Sequence, residues 1–571
     1  MGQIGLCSVL LFLSWAYPAL SLDLRATGHD SRIDLVWEGG HEGYHVYRGD
    51  EAAGSFVRLT NEPSKLTVYS DFLGENDRRY YYRVAPVDAQ GTERAVSETV
   101  SAQSYAMTDE ELLTSVQAAT LRYFWEYAHP VSGLARERLG SDETCTSGGT
   151  GFGVMAICVG VERGFLARKE AAAHLLKIVR FLETMAKRYH GAWSHWIDGS
   201  TGQTIPFSRY DDGGDLVETS FLIQGLLTVR QYFDRDNPVE QELHERITRL
   251  WEQVEWDWYL REPGGRQLYW HWSPKHGWKM NHRIGGHFNE CMITYLLALA
   301  SPTRPIDPAC YDEGWAREAD GEYANGNTYY GHQLWVGWPL GGPLFFTHYS
   351  FLGFDPRGKR DRYCNYFENS RNISLIHRAY CAANPGGHEG YSALCWGLTA
   401  SDTPGGYTAH EPRHDNGTIT PTAAISAMPY VPAESIATLR HFYHTYGTRL
   451  WGPFGFKDAF NLDKDWFARS YLAIDQGPIV VMIENHRTGL CWRLFMANPE
   501  IGAMLERIGW ARERALSRDD EAPTAISHAR QTRRPAGTDR SPDSHGAAPA
   551  ELRRFPAGTW PRRPRPLQAD G

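Results

Sequence analysis

The chain has 571 residues and a net charge of −10, from 68 acidic and 58 basic side chains. With 42% hydrophobic and 22% charged residues it has the balance of a packed globular protein, which excludes collagen-like, coiled-coil and wholly disordered chains. The acidic excess gives no general field for polyanions, so nucleic acid is not an expected partner. Aromatic residues reach 13%, with 20 Trp and 30 Tyr, many of them in polar loops, and such surfaces suit stacking on sugars.

In chain order, Leu6 to Tyr17 form an apolar run too short to span a bilayer, followed by Ala19 and Ser21 at the spacing of a cleavage box. Residues 1–21 therefore read as a signal peptide, although no Lys or Arg precedes the run, and a secreted or periplasmic location without stable membrane insertion is expected. Residues 22–104 show period-2 runs broken by Gly, Asp and Asn: Ile33-Asp-Leu-Val-Trp, Gly43-Tyr-His-Val-Tyr-Arg, Tyr80-Tyr-Tyr-Arg-Val-Ala-Pro-Val-Asp. These are strand signals at the spacing of a small all-β sandwich, with Trp37 and Tyr82 facing its core. The stretch resembles a fibronectin type III domain, which implies a spacer or a wall docked on its neighbour.

At Thr108-Asp-Glu-Glu a capping box opens the first helix, and apolar residues then recur at three-and-four spacing in segments over 167–190, 216–233, 239–260, 288–300, 434–446 and 478–484. No run of strands alternates with these helices. Residues 105–514 are thus expected to be mainly α, an α/α toroid of helical hairpins whose long Gly/Trp/Tyr-rich loops form a cleft at one end. Residues 515–571, rich in Arg, Pro, Asp and Ser, lack apolar periodicity and read as a disordered tail. Eight cysteines follow the apolar run without C-x-x-C pairs, so zinc is not expected, while buried thiols and disulfides both remain open.

Three acidic constellations could carry chemistry. Asp211, Asp212, Asp215 and Glu218 crowd a helix entrance, where Asp215 and Glu218, three apart, share a face. Acids also favour helix N-termini for the dipole alone, by about 0.3–1 kcal/mol each. Glu290, beside His287, stands among apolar helix residues, where desolvation raises a carboxyl's pKa and suits a general acid. Asp475 precedes a helix begun by Pro478 and is followed by Glu484, His486 and Arg487; a simple capping role is its alternative. Loop groups including His332, Gln333, Trp335, Trp338, His348 and Tyr349 interleave flat apolar faces with hydrogen-bonding edges. The histidines lack metal-ligand spacing, so no metal and no cofactor are expected, although the four acids at 211–218 could offer oxygens to calcium.

Six motifs in order, S-G-G-T-G-F at 147–152, D-G-G-D-L-V-E-T-S at 212–220, G-H-F-N-E at 286–290, G-P-L-F-F-T-H-Y-S at 342–350, W-G-P-F-G-F-K-D-A-F at 451–460 and A-I-D-Q-G-P at 473–478, together resemble the bacterial glycoamylase-like proteins that include endo-β-1,2-glucanases. The resemblance spans residues 108–510 and implies an (α/α)6 toroid hydrolysing β-1,2-linked glucan. It places Asp215, Glu218, Glu290 and Asp475 on the acidic cleft positions, with Asp458 in a neighbouring motif. The expectation is a monomeric, inverting glycoside hydrolase with Glu290 as general acid and Asp475, or else Asp215, activating water. Its rivals are a toroidal polysaccharide lyase and a glycan-binding protein that keeps the aromatic loops without using the carboxylates.

Overall fold

A computed structural model describes residues 22–512; the signal-peptide and tail readings fall outside them. Seven antiparallel strands come first: β1 (Arg25–His29), β2 (Arg32–Val36), β3 (Gly43–Gly49), β4 (Phe56–Arg58), β5 (Val68–Phe72), β6 (Arg79–Val87) and β7 (Val100–Gln103). They form two sheets, ordered β1-β2-β5 and β4-β3-β6-β7. Ile33, Leu35, Val46, Tyr82 and Val84 fill the space between them, because alternate side chains of each strand point to one face. Trp37 leaves the end of β2 to pack edge-on against Tyr44, with ring centroids 5.4 Å apart. The Tyr82 hydroxyl donates to Asp71 at 2.8 Å.

The opposite face of β2 is also buried, and it carries charge. Arg32 reaches out of the sandwich to Tyr443 Oη at 2.6 Å and Ser115 Oγ at 2.7 Å, and its Nε donates to Asp34 at 3.0 Å. Asp34 also accepts from Arg122 of the first helix at 2.9 Å. Beside this network, Phe72 packs so closely on Gly447 that a Cβ there would stand 2.1 Å from its ring. The sandwich is therefore joined to the helical region through a dry, charge-paired contact.

Twelve α-helices follow among the described residues: α1 (Asp109–Trp125), α2 (Ser147–Glu162), α3 (Arg168–Thr184), α4 (Leu216–Tyr232), α5 (Pro238–Glu252), α6 (Met292–Ala300), α7 (Tyr366–Ala383), α8 (Pro421–Ile425), α9 (Pro432–Leu450), α10 (Ala473–Arg487), α11 (Leu490–Met496) and α12 (Pro499–Arg507). The capping box forms as expected, Glu111 N–H donating to Thr108 Oγ1 and Thr108 N–H to Glu111 Oε2. Helices alternate in character along the chain. α2, α4, α6, α8 and most of α10 are buried all round, whereas α3, α5, α7 and α9 bury one stripe and expose the other. The buried helices meet one another, α10 on α2, α2 on α4, α4 on α6 and α8 on α10, so an inner layer is wrapped by amphipathic outer helices.

Several boundaries differ from the sequence expectation. α2 has no amphipathic period to detect, since all but its last two residues are buried, and its glycines serve close packing: a Cβ on Gly151 would lie 2.2 Å from Phe221 O of α4. α5 ends at Glu252, and its apolar pattern continues in a short 3₁₀ segment, Trp256–Leu260. α6 begins at Met292, so Glu290 stands in the turn before it rather than on the helix. α10 begins at Ala473 and contains Pro478, which the sequence suggested as its start. Proline usually ends a helix by removing one hydrogen bond and crowding the preceding turn, but here dense packing on α2 and α8 holds the helix through it. All eight described cysteines are buried free thiols.

Candidate active site

Asp215 caps α4, its Oδ1 accepting from the N–H groups of Val217 and Glu218 at 3.0 and 2.9 Å. The cap is not its only role. Its Oδ2 faces His195 Nδ1 at 3.1 Å, and a two-residue strand pairing sets Asp215 opposite His271, whose Nε2 lies 3.6 Å from Asp215 and 3.3 Å from Asp211. Burial alone would raise the Asp215 pKa, but the His195 hydrogen bond and the two imidazoles hold it below the ordinary carboxylate value. His195 responds in the opposite sense: despite burial, the charges of Glu218, Asp215 and Asp211 lift it to about 10, so it is an imidazolium at neutral pH. Ligand atoms of His195, Asp211 and Asp215 lie within 4.8 Å of one another, close enough to surround a cation. Asp212, also buried, has Lys275 Nζ at 3.4 Å.

Glu218, one turn on, accepts from Gly148 N–H at the start of α2 at 2.9 Å. The approach requires glycine, since a Cβ on Gly148 would stand 2.4 Å from Glu218 Oε2. Burial and the Asp215 charge raise Glu218 to about 7, against the pull of His195. Glu290 is 6% exposed; its Oε2 has no hydrogen-bond partner among the described residues, and its carbonyl is fixed by Ser350 Oγ. Burial, with the Glu218 charge adding, raises it to about 7.

Asp475 occupies the first turn of α10, 3% exposed. Its side chain lies within hydrogen-bonding reach of Asp458, a residue of the loop before Phe460–Asn461. Burial first, then the Asp458 charge, pushes Asp475 well above the usual carboxylate range, and burial with the Asp402 charge raises Asp458 to about 7. Tyr349 joins the groups: its phenol is raised by burial and by the charges of Asp475, Glu218 and Glu290, so it stands within electrostatic reach of all three acids.

The acids named from sequence thus come together. Around them, His287 packs edge-on against Trp338 with centroids 5.8 Å apart, three residues from Glu290, and Arg413 lies over the Trp338 ring. His332 and Gln333 form a small hairpin with Thr328–Tyr329, and Trp335, 37% exposed, follows it. His348, however, is a core residue: it is 2% exposed, its Nε2 has no partner among the described residues, and burial beside His377 lowers it to about 3. His486 and Arg487 end α10, about 16–18 Å from Asp475 along the axis at 1.5 Å per residue. Arg487 is taken up there by Gln117, Thr114 and Glu110 of α1, so neither residue belongs to the acid cluster.

Sequence reasoning missed His195, which sits between two tryptophans in a loop without a motif, and Asp402, whose backbone N–H donates to Asp458 at 2.7 Å. His271 is one polar edge in the aromatic loop Trp270-His271-Trp272. No signal in the sequence pairs it with Asp211 and Asp215, since that pairing is made by a strand of two residues.

A family model described as "Putative glucoamylase" matches residues 281–499. The chain is 46% identical over 511 residues to the exo β-1,2-glucooligosaccharide sophorohydrolase (non-reducing end) of Parabacteroides distasonis, covering 85% of this chain and 70% of that protein. The crystal structure of a β-1,2-glucanase from Parabacteroides distasonis superposes with a TM-score of 0.82 at 46% identity, over 86% of this chain and 73% of that one. An endo-β-1,2-glucanase from Chitinophaga pinensis, solved with sophorotriose and glucose, gives 0.69 at 48% identity over 71% of this chain and 99% of that one.

Proposed function

Because the chain belongs to the glycoamylase-like glycoside hydrolases, we propose that it hydrolyses β-1,2-linked glucan or its oligosaccharides, using Glu290 as general acid and Asp475 as the base that activates water. The observation that carries the assignment is Glu290 itself, a buried carboxyl with one oxygen unpartnered and a pKa raised to about 7. Such a group is protonated in a useful fraction at neutral pH and can deliver its proton to the leaving oxygen. The second buried acid, Asp475, stands with Tyr349 in the same cluster, where it can take a proton from water attacking the opposite face of the sugar. Asp215, held ionised by two histidines, is a poorer proton acceptor and suits sugar hydroxyls or the charge of the transition state.

Alternation of buried and amphipathic helices supports closure as an (α/α)6 toroid. The 3₁₀ turns at Leu344–Phe351 supply an inner element between α6 and α8, and the turn at Tyr311–Trp315 an outer one. Trp335, Trp338 and the hairpin at 328–333 would form aromatic walls for the glucan. The apolar run at 6–17 supports export, and the chain acts as a monomer. Among the described residues no helix is long and apolar enough to cross a membrane. The reading is tested by following β-1,2-glucan cleavage by NMR: an inverting reaction first releases the α-anomer. Release of the β-anomer first would replace Asp475-assisted water attack with a covalent route, and ultraviolet-absorbing unsaturated products would replace hydrolysis with elimination.

A further inference from the structure

Asp458 is a side chain that the two-carboxylate scheme does not use, yet it is placed with more care than a binding residue on a loop requires. Its backbone N–H donates to Ser470 O at 3.1 Å, and its Oδ2 receives the Asp402 N–H at 2.7 Å. Asp402 is fixed in turn by Arg138 at 2.9 Å and Ser470 Oγ at 2.6 Å. The loop carrying Asp458 is clamped to α10 by Gln476, which donates to the carbonyls of Phe454 and Phe456, and the Asp475 carbonyl accepts from Thr422. Two buried carboxyl groups are therefore held near each other, while Asp458 Oδ1 and Asp475 Oδ2 each have no hydrogen-bond donor among the described residues.

Two bare carboxylate oxygens cannot stay adjacent in a dry site without a large cost, because like charges there repel and neither is solvated. The other ionisable groups facing the pair are Asp402, Glu137, Arg138, Tyr349 and Tyr407. Arg138, the cation among them, is already bound to Glu137 and Asp402 and offers Asp475 no hydrogen bond. A single proton shared by the two carboxyls would relieve that cost.

We propose that Asp458 and Asp475 work as one unit holding a single proton, with Asp458 as the positioning residue that leaves Asp475 as the water-activating carboxylate. The proposal rests on Asp475 being the base. In turnover the monoanionic pair takes one proton from water as the water oxygen bonds to the anomeric carbon. Glu290 gives its proton to the departing sugar oxygen as the glycosidic bond breaks. The pair ends with two protons and Glu290 with none, and transfer of one proton from the pair to Glu290 through solvent restores the site.

The test is kcat/KM against pH on β-1,2-glucan for the full chain and for Asp458→Asn and Asp475→Asn. In Asp458→Asn the amide oxygen keeps the Asp402 bond and its N–H donates to Asp475, so Asp475 keeps a donor while the shared, titratable proton is gone. The acidic limb, set by protonation of a pair that already carries one proton, should then stay or rise, an amide being a weaker donor than a carboxyl, and the carboxylic-acid C=O infrared band of the protein at neutral pH should weaken. A limb that moves down, as on losing a charged neighbour, or a rate that falls with the band unmoved, would overturn the proposal. Should Asp458→Asn fail to fold, a carboxyl-13C aspartate titration of the parent decides: two carboxyls titrating together as one coupled pair uphold it, and two independent titrations refute it. Asp475→Asn tests the underlying reading separately, since parental activity there would remove Asp475 as base whatever the Asp458 profile shows.

Discussion

Replacing Asp34 by Asn measures how firmly the β-sandwich is built into the helical region. Asp34 is 2% exposed and faces Arg32 at 3.0 Å, Arg122 at 2.9 Å, Ser70 Oγ at 2.7 Å and His29 at 3.5 Å. Arg32 is fully buried, so the substitution leaves its charge without a counter-ion in a dry interface. Removing one partner of a buried pair costs about 3–5 kcal/mol. Arg32 keeps its bonds to Tyr443 and Ser115 and its place over the Trp451 ring, and the amide retains one acceptor oxygen, which favours the lower end, about 3 kcal/mol. The loss should depend on pH with a definite sign. Burial would raise Asp34, but the two arginines hold it far below the usual carboxylate range. Its contribution is therefore fully present above the unfolded-state value of about 3.9 and is lost as pH falls toward the folded value, by about 1.4 kcal/mol per pH unit. Urea unfolding of parent and variant, compared between pH 7 and pH 3, should show a gap of about 3 kcal/mol that narrows below about pH 4. A gap under about 1 kcal/mol at pH 7, or one independent of pH, would refute a buried charge network at this joint.

The remaining expectations concern the site. With Glu290 raised to about 7 by burial, kcat/KM should fall as pH rises through that value, because the acid must be protonated; a profile flat to pH 9 would exclude it. Gly148→Ala forces a methyl to within 2.4 Å of Glu218 Oε2, so activity should drop by about tenfold or more while the melting temperature changes by only a few degrees; unchanged turnover would show that Glu218 can move freely. Exhaustive dialysis against chelator should leave turnover intact, since glycoside hydrolysis by two carboxyls needs only proton transfer and charge stabilisation. Loss of activity restored by calcium would contradict this.

How much of this was legible in sequence depended on whether the information was local. The Thr108 capping box and the alternation of Ile33 and Leu35 are short-range signals, and both appear where expected. Desolvation of Glu290 was readable from its apolar surroundings, although the helix starts two residues later. α2 was not legible, because a helix buried on nearly every side has no polar stripe and its five glycines speak against helix. Pro478 similarly misplaced the start of α10. The partners of the acids were the least accessible: His195, His271 and Asp402 reach the site from loops far apart in the chain, brought together by strand pairs of two to four residues that leave no periodic trace. Proximity in sequence misled in one case, since His486 and Arg487 follow Asp475 closely but end at the other end of its helix.

The central claim is that Glu290 supplies the proton for cleavage of β-1,2-linked glucan. Reducing-sugar release by the parent and by Glu290→Gln, each assayed on purified β-1,2-, β-1,3-, β-1,4- and α-1,4-glucans with oligosaccharide binding measured in parallel, tests it most directly. The parent should act on the β-1,2 polymer or its oligosaccharides, and Glu290→Gln should bind them while turning over at least about 10²-fold more slowly. Activity confined to another linkage, or a variant retaining more than half the parental rate, would contradict it.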